Sequence, residues 1–557
     1  MVKQRTASIA TGVAIVALAG AGAARATVTI STAATQSMSC SNGVCSPTAT
    51  DAVLNVNDLE NLLAAGNVEV TTTGTGVEAN DIAVSTALSW SANSLALAAY
   101  RFMTIGATIA DNGAGGIGLK ATDPGHINYV GGNITFAELS SSLTIDGQSY
   151  LLANSIQSLA ADIASAPAGR FALANGYDAS GDGTYTSNPI PKIFGGVFDG
   201  LGNAISNLSI NDPSDSVKEG LFYELAREGR ISNVALTNAN VSAVGGSLTS
   251  AGLLVGDNEG TVSRCAVSGE VIAEDYAGGL AAFSGTIDNS SSSATVQSNF
   301  IGGGLVGASG GKIHTSYATG SVTGVVDAGG LVGVASYGTI IESSHATGPV
   351  SLSGRAGYGG GLVGENAGWL LKSYATGSVT AGTNGIAGGL VGGDTGRIIG
   401  SFANGNVKGS FTSTVSAFAG AEVGSTDNSY ATGAVSGGNY SYIGGFVGCI
   451  GSCADGMGGT IRRSYSIGRV PKLKPSYTGG FAGIDETAGG ISNAYWDMTT
   501  SGRKRGTGNR GNEPGLRGTT TQQLQAGLPR GFSAEIWAED PNINGGLPYL
   551  IANPPPQ

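Results

Sequence analysis

Charge is scarce in this chain: Asp, Glu, Lys and Arg together make up 12% of its 557 residues. The balance is acidic, with a net charge of −12. Binding to nucleic acid through an overall field is therefore excluded, because neutralising phosphates takes clustered Lys and Arg. The one basic cluster, Arg503, Lys504, Arg505 and Arg510, is small and reads as a solvated loop. Proline is also rare, with 16 residues, which excludes collagen. Apolar residues reach 41%, too many for a disordered chain. Past the N-terminus no run of 18 apolar residues occurs, so no membrane-spanning helix is expected. The three histidines, His126, His314 and His345, lie far from any cysteine pair, which argues against a zinc site.

Glycine is abundant, at 94 residues. That is well above the ordinary level of about 7%, and it accompanies many β-branched residues. Together they indicate strands joined by tight turns. Residues 1–26 read as a secretory signal peptide: Lys3 and Arg5, an Ala-rich apolar stretch, then Ala24-Arg25-Ala26. In an oxidising compartment, Cys40 with Cys45 and Cys449 with Cys453 are spaced for small local disulfides. Cys265 stands apart.

Repetition decides the fold. Gly303-Gly-Leu-Val-Gly307 is followed by a stretch ending Thr-Ser-Tyr-Ala-Thr-Gly-Ser-Val322, and the pair recurs from Gly329, Gly360 and Gly388. Degenerate copies are placed at Gly252, Gly279, Ala421-Glu-Val-Gly424, Gly445 and Gly480. A unit of roughly 25 residues with two short β-like runs cannot bury a core alone, but stacked units can. The expected architecture is all-β, a right-handed parallel β-helix. Stacking predicts an aliphatic ladder through Ile313, Ile341, Ile398 and Ile461, and a second through Val322, Val350, Val379, Val407, Val435 and Val470. A third runs through Tyr317, His345, Tyr374, Phe402, Tyr430 and Tyr465 and is expected to be structural. Glycines are expected to supply positive φ at the corners.

The flanks are less regular. Residues 27–50 form a Ser/Thr-rich linker, expected to be poorly ordered. Residues 51–194 form irregular β coils with a helix near 155–165, on the spacing of Ile156, Leu159 and Ile163. Residues 195–496 hold the repeats, and 497–557 a loop and terminal cap.

The Gly-Gly-Leu-Val-Gly…Ser-Tyr-Ala-Thr-Gly-Ser-Val units resemble the GLUG motif of large bacterial surface proteins. Asp58-Leu-Glu-Asn-Leu-Leu, with the segment Ile82 to Ile109, resembles filamentous haemagglutinin-like exoproteins. The resemblance implies a secreted or surface-bound adhesin whose partner is a glycan or protein on a host or neighbouring cell. It also implies an outer-membrane secretion partner. Between Ala26 and Asp51 the secretion domain usual in such proteins is not recognisable, so a truncated or divergent relative is expected. The end at Asn553-Pro-Pro-Pro-Gln557 shows no series of amphipathic strands for a translocating barrel.

No catalytic residue, cofactor or metal site is expected, and no nucleic-acid partner. The alternative is a β-helix polysaccharide lyase or glycoside hydrolase, which needs carboxylates gathered on one face. The repeat acids Asp257, Glu259, Asp288, Asp327, Glu342, Glu365, Asp394, Glu422 and Asp427 are read as solubilising and as sharing no repeat position. Asp199 reads as a turn residue. Asp178 to Thr184 suggests a Ca²⁺ loop but lacks the terminal acidic ligand.

Overall fold

Short β-branched runs between glycines become parallel strands along most of the chain. The computed structural model describes residues 26–122, 126–215, 217–246, 248–451, 458–487, 489–511 and 513–556. The expected signal peptide, Ala26 aside, lies outside the described residues. Two compact units are present: residues up to 155 with 170–176 and 198–204, and the remainder. Each is a β-solenoid of parallel strands, regular in the second unit where the repeats lie.

In the first unit, Thr27–Ser31 lies in parallel between Ala52–Asn55 and Asp81–Val84. The segment 27–50, expected to be poorly ordered, is strand. Its Ser/Thr content hides an alternation in which Val28 and Ile30 are fully buried. Met38–Ser41 and Val44–Pro47 form a hairpin closed by the expected Cys40–Cys45 disulfide. Val44–Pro47 then continues the stack against Val68–Thr71. Helix α1 (Val56–Ala65) begins where the Asn55 side chain accepts from the N–H groups of Asn57 and Asp58. It buries Val56, Leu59 and Leu63. Asp199 is the expected turn residue, accepting from the Leu201 N–H at 2.8 Å.

The second unit contains helix α2 (Ile156–Ser165), which buries the expected Ile156, Leu159 and Ile163. Its coils have three faces. A glycine face stacks short strands such as Tyr276–Gly278, Ile301–Gly303 and Asp327–Gly329. A second face stacks Val306–Ser309 and Lys312–His314 on their successors. The third stacks Tyr317–Ala318 and Val322–Gly324 likewise. The aliphatic ladder runs Ile287, Ile313, Ile341, Leu370, Ile398, Thr426, Ile461 and Ile491. Each of these is buried, worth roughly 1.5–3 kcal/mol per large aliphatic side chain. The valine ladder pairs in strand register from Val296 to Val435, and beyond it the Val435 N–H reaches the carbonyl of Arg469, beside buried Val470.

A serine column accompanies these ladders. The N–H of Ser316 donates to Ser344 Oγ at 3.1 Å, Ser344 to Ser373 at 3.2 Å, and Ser373 to Ser401 at 3.2 Å. Each hydroxyl donates back to the carbonyl two residues before it, as Ser344 does to Glu342 at 2.9 Å. The column satisfies buried N–H groups at the bend where the ladder hydrogen bonds break.

The repeat glycines act differently from expectation. The residue before each column serine takes positive φ, and it is Asn289, Thr315, Ser343, Lys372, Asn428 or Arg463, with glycine only at Gly400. The Gly-Gly-Leu-Val-Gly glycines are instead required by close approach. A Cβ on Gly303 would lie 1.8 Å from the Val306 carbonyl oxygen, and one on Gly360 would lie 1.7 Å from that of Val363.

The stacked rings lie on the outside of the third face. Centroids from Tyr317 to Tyr465 are 4.7–5.3 Å apart and the planes nearly parallel. Ring faces are consumed by neighbouring rings, which is the packing role expected. Leu516–Thr519 pairs with Ala494–Asp497 and continues the stack. The last segment then folds back along the ring edges. Phe532, Trp537, Leu547 and Leu550 cover Phe402, Tyr430, Tyr465 and Tyr495. Trp537 Nε1 donates to Asn428 Oδ1 at 3.1 Å, and Asn553 Nδ2 donates to the Gly400 carbonyl at 3.0 Å. What was expected as an end cap is, from Phe532 onward, a lateral strap.

Candidate binding groove

Because a glycine Cβ has no room at either end of the Gly-Leu-Val-Gly turn, the glycine face and the second face fold sharply on each other. A Cβ on Gly307 would meet the carbonyl oxygen of Ala282 at 2.8 Å, and one on Gly364 would meet the backbone nitrogen of Ala328 at 3.1 Å. The result is a crease along the coils with a floor of backbone. Its walls come from two stacked positions. One holds Tyr276, Ile301, Asp327, Tyr358 and Ile386. The other holds Asp257, Phe283, Ala308, Val334 and Glu365. The floor repeats while the walls vary in charge, size and aromaticity.

The crease widens into a cavity of about 530 Å³ lined by residues from Arg227 to Ser336, among them Asp257, Asn258, Tyr276 and Phe283. Tyr276 lies 4.7 Å from Phe283 and 6.2 Å, edge-on, from Phe300, centroid to centroid. Lys218 binds Asp257 at 2.5 Å and Glu224 at 3.6 Å. Asn258 is 2% exposed, and its Oδ1 has no hydrogen-bond partner. Further along, Asp327 accepts from the Tyr358 N–H at 3.2 Å. Burial, with the charge of Glu365 adding to it, pushes the Asp327 carboxyl up to about 6.

The repeat acids therefore divide into groups that the sequence reading did not separate. Asp257, Asp327 and Glu365 line the crease. Asp288, Glu342 and Asp427 do share one repeat position, in a column that passes through His314, Leu371 and Ile399. They pair across coils with His314, Lys372 and Arg463. Asp394 and Glu422 are not solubilising at all, because they are register partners buried inside the solenoid. Asn366 donates to Asp394 at 2.5 Å, and Thr426 to Glu422 at 2.8 Å. Burial and the neighbouring Asp394 push the Glu422 carboxyl well above its usual range. The misplacement has a definite source. Val391 pairs with Ala419, so the degenerate turn is Ala417-Phe-Ala-Gly420 rather than Ala421-Glu-Val-Gly424.

Other candidates are accounted for locally. Cys449 is buried, and its expected partner Cys453 lies outside the described residues. Cys265 is buried, with its Sγ 3.3 Å from the Ser263 carbonyl. Asp182 accepts from the hydroxyls of Tyr177 at 2.5 Å and Tyr185 at 2.7 Å, while Asp178 accepts from Ser180 and Asn207. The two aspartates thus serve separate local networks. Among the described residues no His, Cys, Asp and Glu group is arranged to hold a metal ion. Arg503 donates to the Thr478 carbonyl at 2.7 Å and Arg510 to that of Thr487, so half of the basic cluster fastens the final turns. His345 stands in the ring stack, where burial lowers it to about 4.

No known protein family matches the chain. An 89-residue stretch, 16% of the chain, is 42% identical to halomucin of Haloquadratum walsbyi (strain DSM 16790 / HBSQ001). It spans about 1% of halomucin's length. Among solved structures, an IgA1 protease is similar over 60% of this chain and 20% of its own, at 18% identity and a TM-score of 0.28. Among the described residues no helix is long and apolar enough to cross a membrane.

Proposed function

We propose that this chain is a secreted or surface-exposed adhesin-like protein that makes cell-surface or matrix contact through the side of its solenoid. The observation that supports this most is the crease, with its constant backbone floor and variable walls. Such an arrangement varies recognition without disturbing the core. The GLUG-like and filamentous haemagglutinin-like segments agree with this reading, as does the short likeness to halomucin. The partner is a glycan or protein on a host or neighbouring cell. Protease treatment of intact producing cells, with fractionation of the medium, tests it. The protein should be shaved from the surface or recovered outside, and its deletion should lower adhesion. Retention inside intact cells would refute the proposal.

One observation favours a second reading, a β-helix glycoside hydrolase or polysaccharide lyase. Asp327 holds its proton more tightly than an ordinary carboxyl and feels the charge of Glu365 across the crease. The two carboxyls stand on the facing walls of the crease, the pairing such an enzyme needs. Release of reducing ends, or of unsaturated products, that is lost in both Asp327→Asn and Glu365→Gln would favour the enzyme.

A further inference from the structure

We propose that the widened stretch of the crease, from Asp257 to Val334, is a subsite for a neutral glycan. This rests on the crease being a binding surface and names what it takes.

Four features support the assignment. The cavity of about 530 Å³ falls within the ~300–1,000 Å³ of small-ligand sites. The wall position next to the backbone floor passes through Asp257, Phe283, Ala308 and Val334 on successive coils. At about 4.8 Å per coil this is a track about 14 Å long. An extended pyranose chain has a repeat comparable to the coil spacing, so successive sugars would meet successive coils.

The side chains fit the chemistry of a sugar. Tyr276, Phe283 and Phe300 form an aromatic group, with Phe300 40% exposed. Unlike the ring ladder on the third face, these rings are tilted or edge-on, so their faces are not all consumed by each other. Such faces take the apolar side of a pyranose, and acceptors beside them take its hydroxyls. Asp257 and Glu259 supply carboxylate acceptors at the cavity.

Charge decides the class of glycan. The cavity presents Asp257 and Glu259 against Arg227, and the nearby Lys218 is held by Asp257 and Glu224. The chain as a whole is at −12. A sulfated or uronate-rich polymer would be repelled, and a neutral one would not.

Affinity electrophoresis of the full chain tests this. The probes are hydroxyethylcellulose, xyloglucan and dextran, with polygalacturonate and heparin as polyanions. The expected result is retardation by at least one neutral polymer and by neither polyanion. The double variant Tyr276→Ala/Phe283→Ala should lose at least about tenfold in affinity. Ala308→Arg, which fills the track without removing a core side chain, should do the same with an unchanged melting curve. Trp369→Ala, exposed on the second face, should behave as the parent. Retardation by polyanions alone, by nothing, or equally in Ala308→Arg would overturn the subsite. The same variants in a whole-cell adhesion assay separate the two proposals. Adhesion by the parent that survives Ala308→Arg rejects the subsite and keeps the adhesin, whereas no adhesion by the parent rejects both.

Discussion

Raising the pH should loosen the first coils of the second unit, and Glu219→Gln should prevent it. Glu219 is fully buried at the end of the strand Lys218–Glu219. Asn188 donates to its Oε1 at 2.9 Å, and its Oε2 has no donor. Burial, then the charge of the adjacent buried Asp212, pushes its carboxyl from 4.5 up to about 8. A carboxyl raised on folding contributes stability that is fully present below its unfolded value and is lost as pH rises through the folded one. The window is therefore from about 4.5 to about 8. At about 1.4 kcal/mol per pH unit, less an allowance for solvent screening, the loss is on the order of 2–4 kcal/mol. Coupling in a solenoid is between neighbours, so the effect should be local. Limited proteolysis at pH 5, 7 and 9 should show cuts near residues 205–260 accelerating with pH. In Glu219→Gln, which keeps the shape but cannot ionise, that acceleration should vanish. An identical pH slope in parent and variant would refute the reasoning.

Three further outcomes are expected. Ile398→Asp, between Leu370 and Thr426, places a carboxylate in the dry ladder; it should cost more than about 4 kcal/mol, with proteolysis starting near residues 380–425. Trp537→Ala should cost about 3–5 kcal/mol of strap docking; protease should then cut between residues 520 and 553 while the circular dichroism spectrum of the solenoid persists. Shortening the loop at residues 353–357, between Val350–Leu352 and Tyr358–Gly360, should leave the melting temperature within about 2 °C, because loops at this corner already vary in length.

The sequence was most informative where one residue type recurs at one place. Ile313, Ile341 and Ile398 announce their ladder because nothing else satisfies that position as well, and the structure keeps them in register. Legibility fails where substitution is tolerated. Ala417-Phe-Ala-Gly420 still packs as Gly-Leu-Val-Gly does, yet its altered letters moved Glu422 out of place on paper. The serine column was visible as a repeated Ser before the aromatic position, but its role depends on the bend that strips the backbone of partners. The glycines were visible too, but the reason for them is close approach, at Gly303 to a carbonyl three residues on and at Gly304 to the next coil, rather than a positive φ. The strap was hidden because Phe532, Trp537 and Leu550 pack on ring edges singly, without a period. The crease escaped for a related cause. Its walls are the positions at which the repeats differ, and a search for repetition passes over them.

The serine column also bears on how such a chain changes over generations. Each hydroxyl accepts from the coil before it and donates within its own coil, so the coils from Ser290 to Ser464 offer the same hydrogen-bonding edge above and below. A coil deleted or duplicated whole leaves the two new neighbours meeting as the old ones did. A partial duplication would set a serine opposite a residue with no hydroxyl and strand an N–H in the interior. Reach can thus be altered in whole-coil steps of about 4.8 Å. Gene rearrangements in phase with the repeat should yield folded proteins of new length, and those out of phase should not.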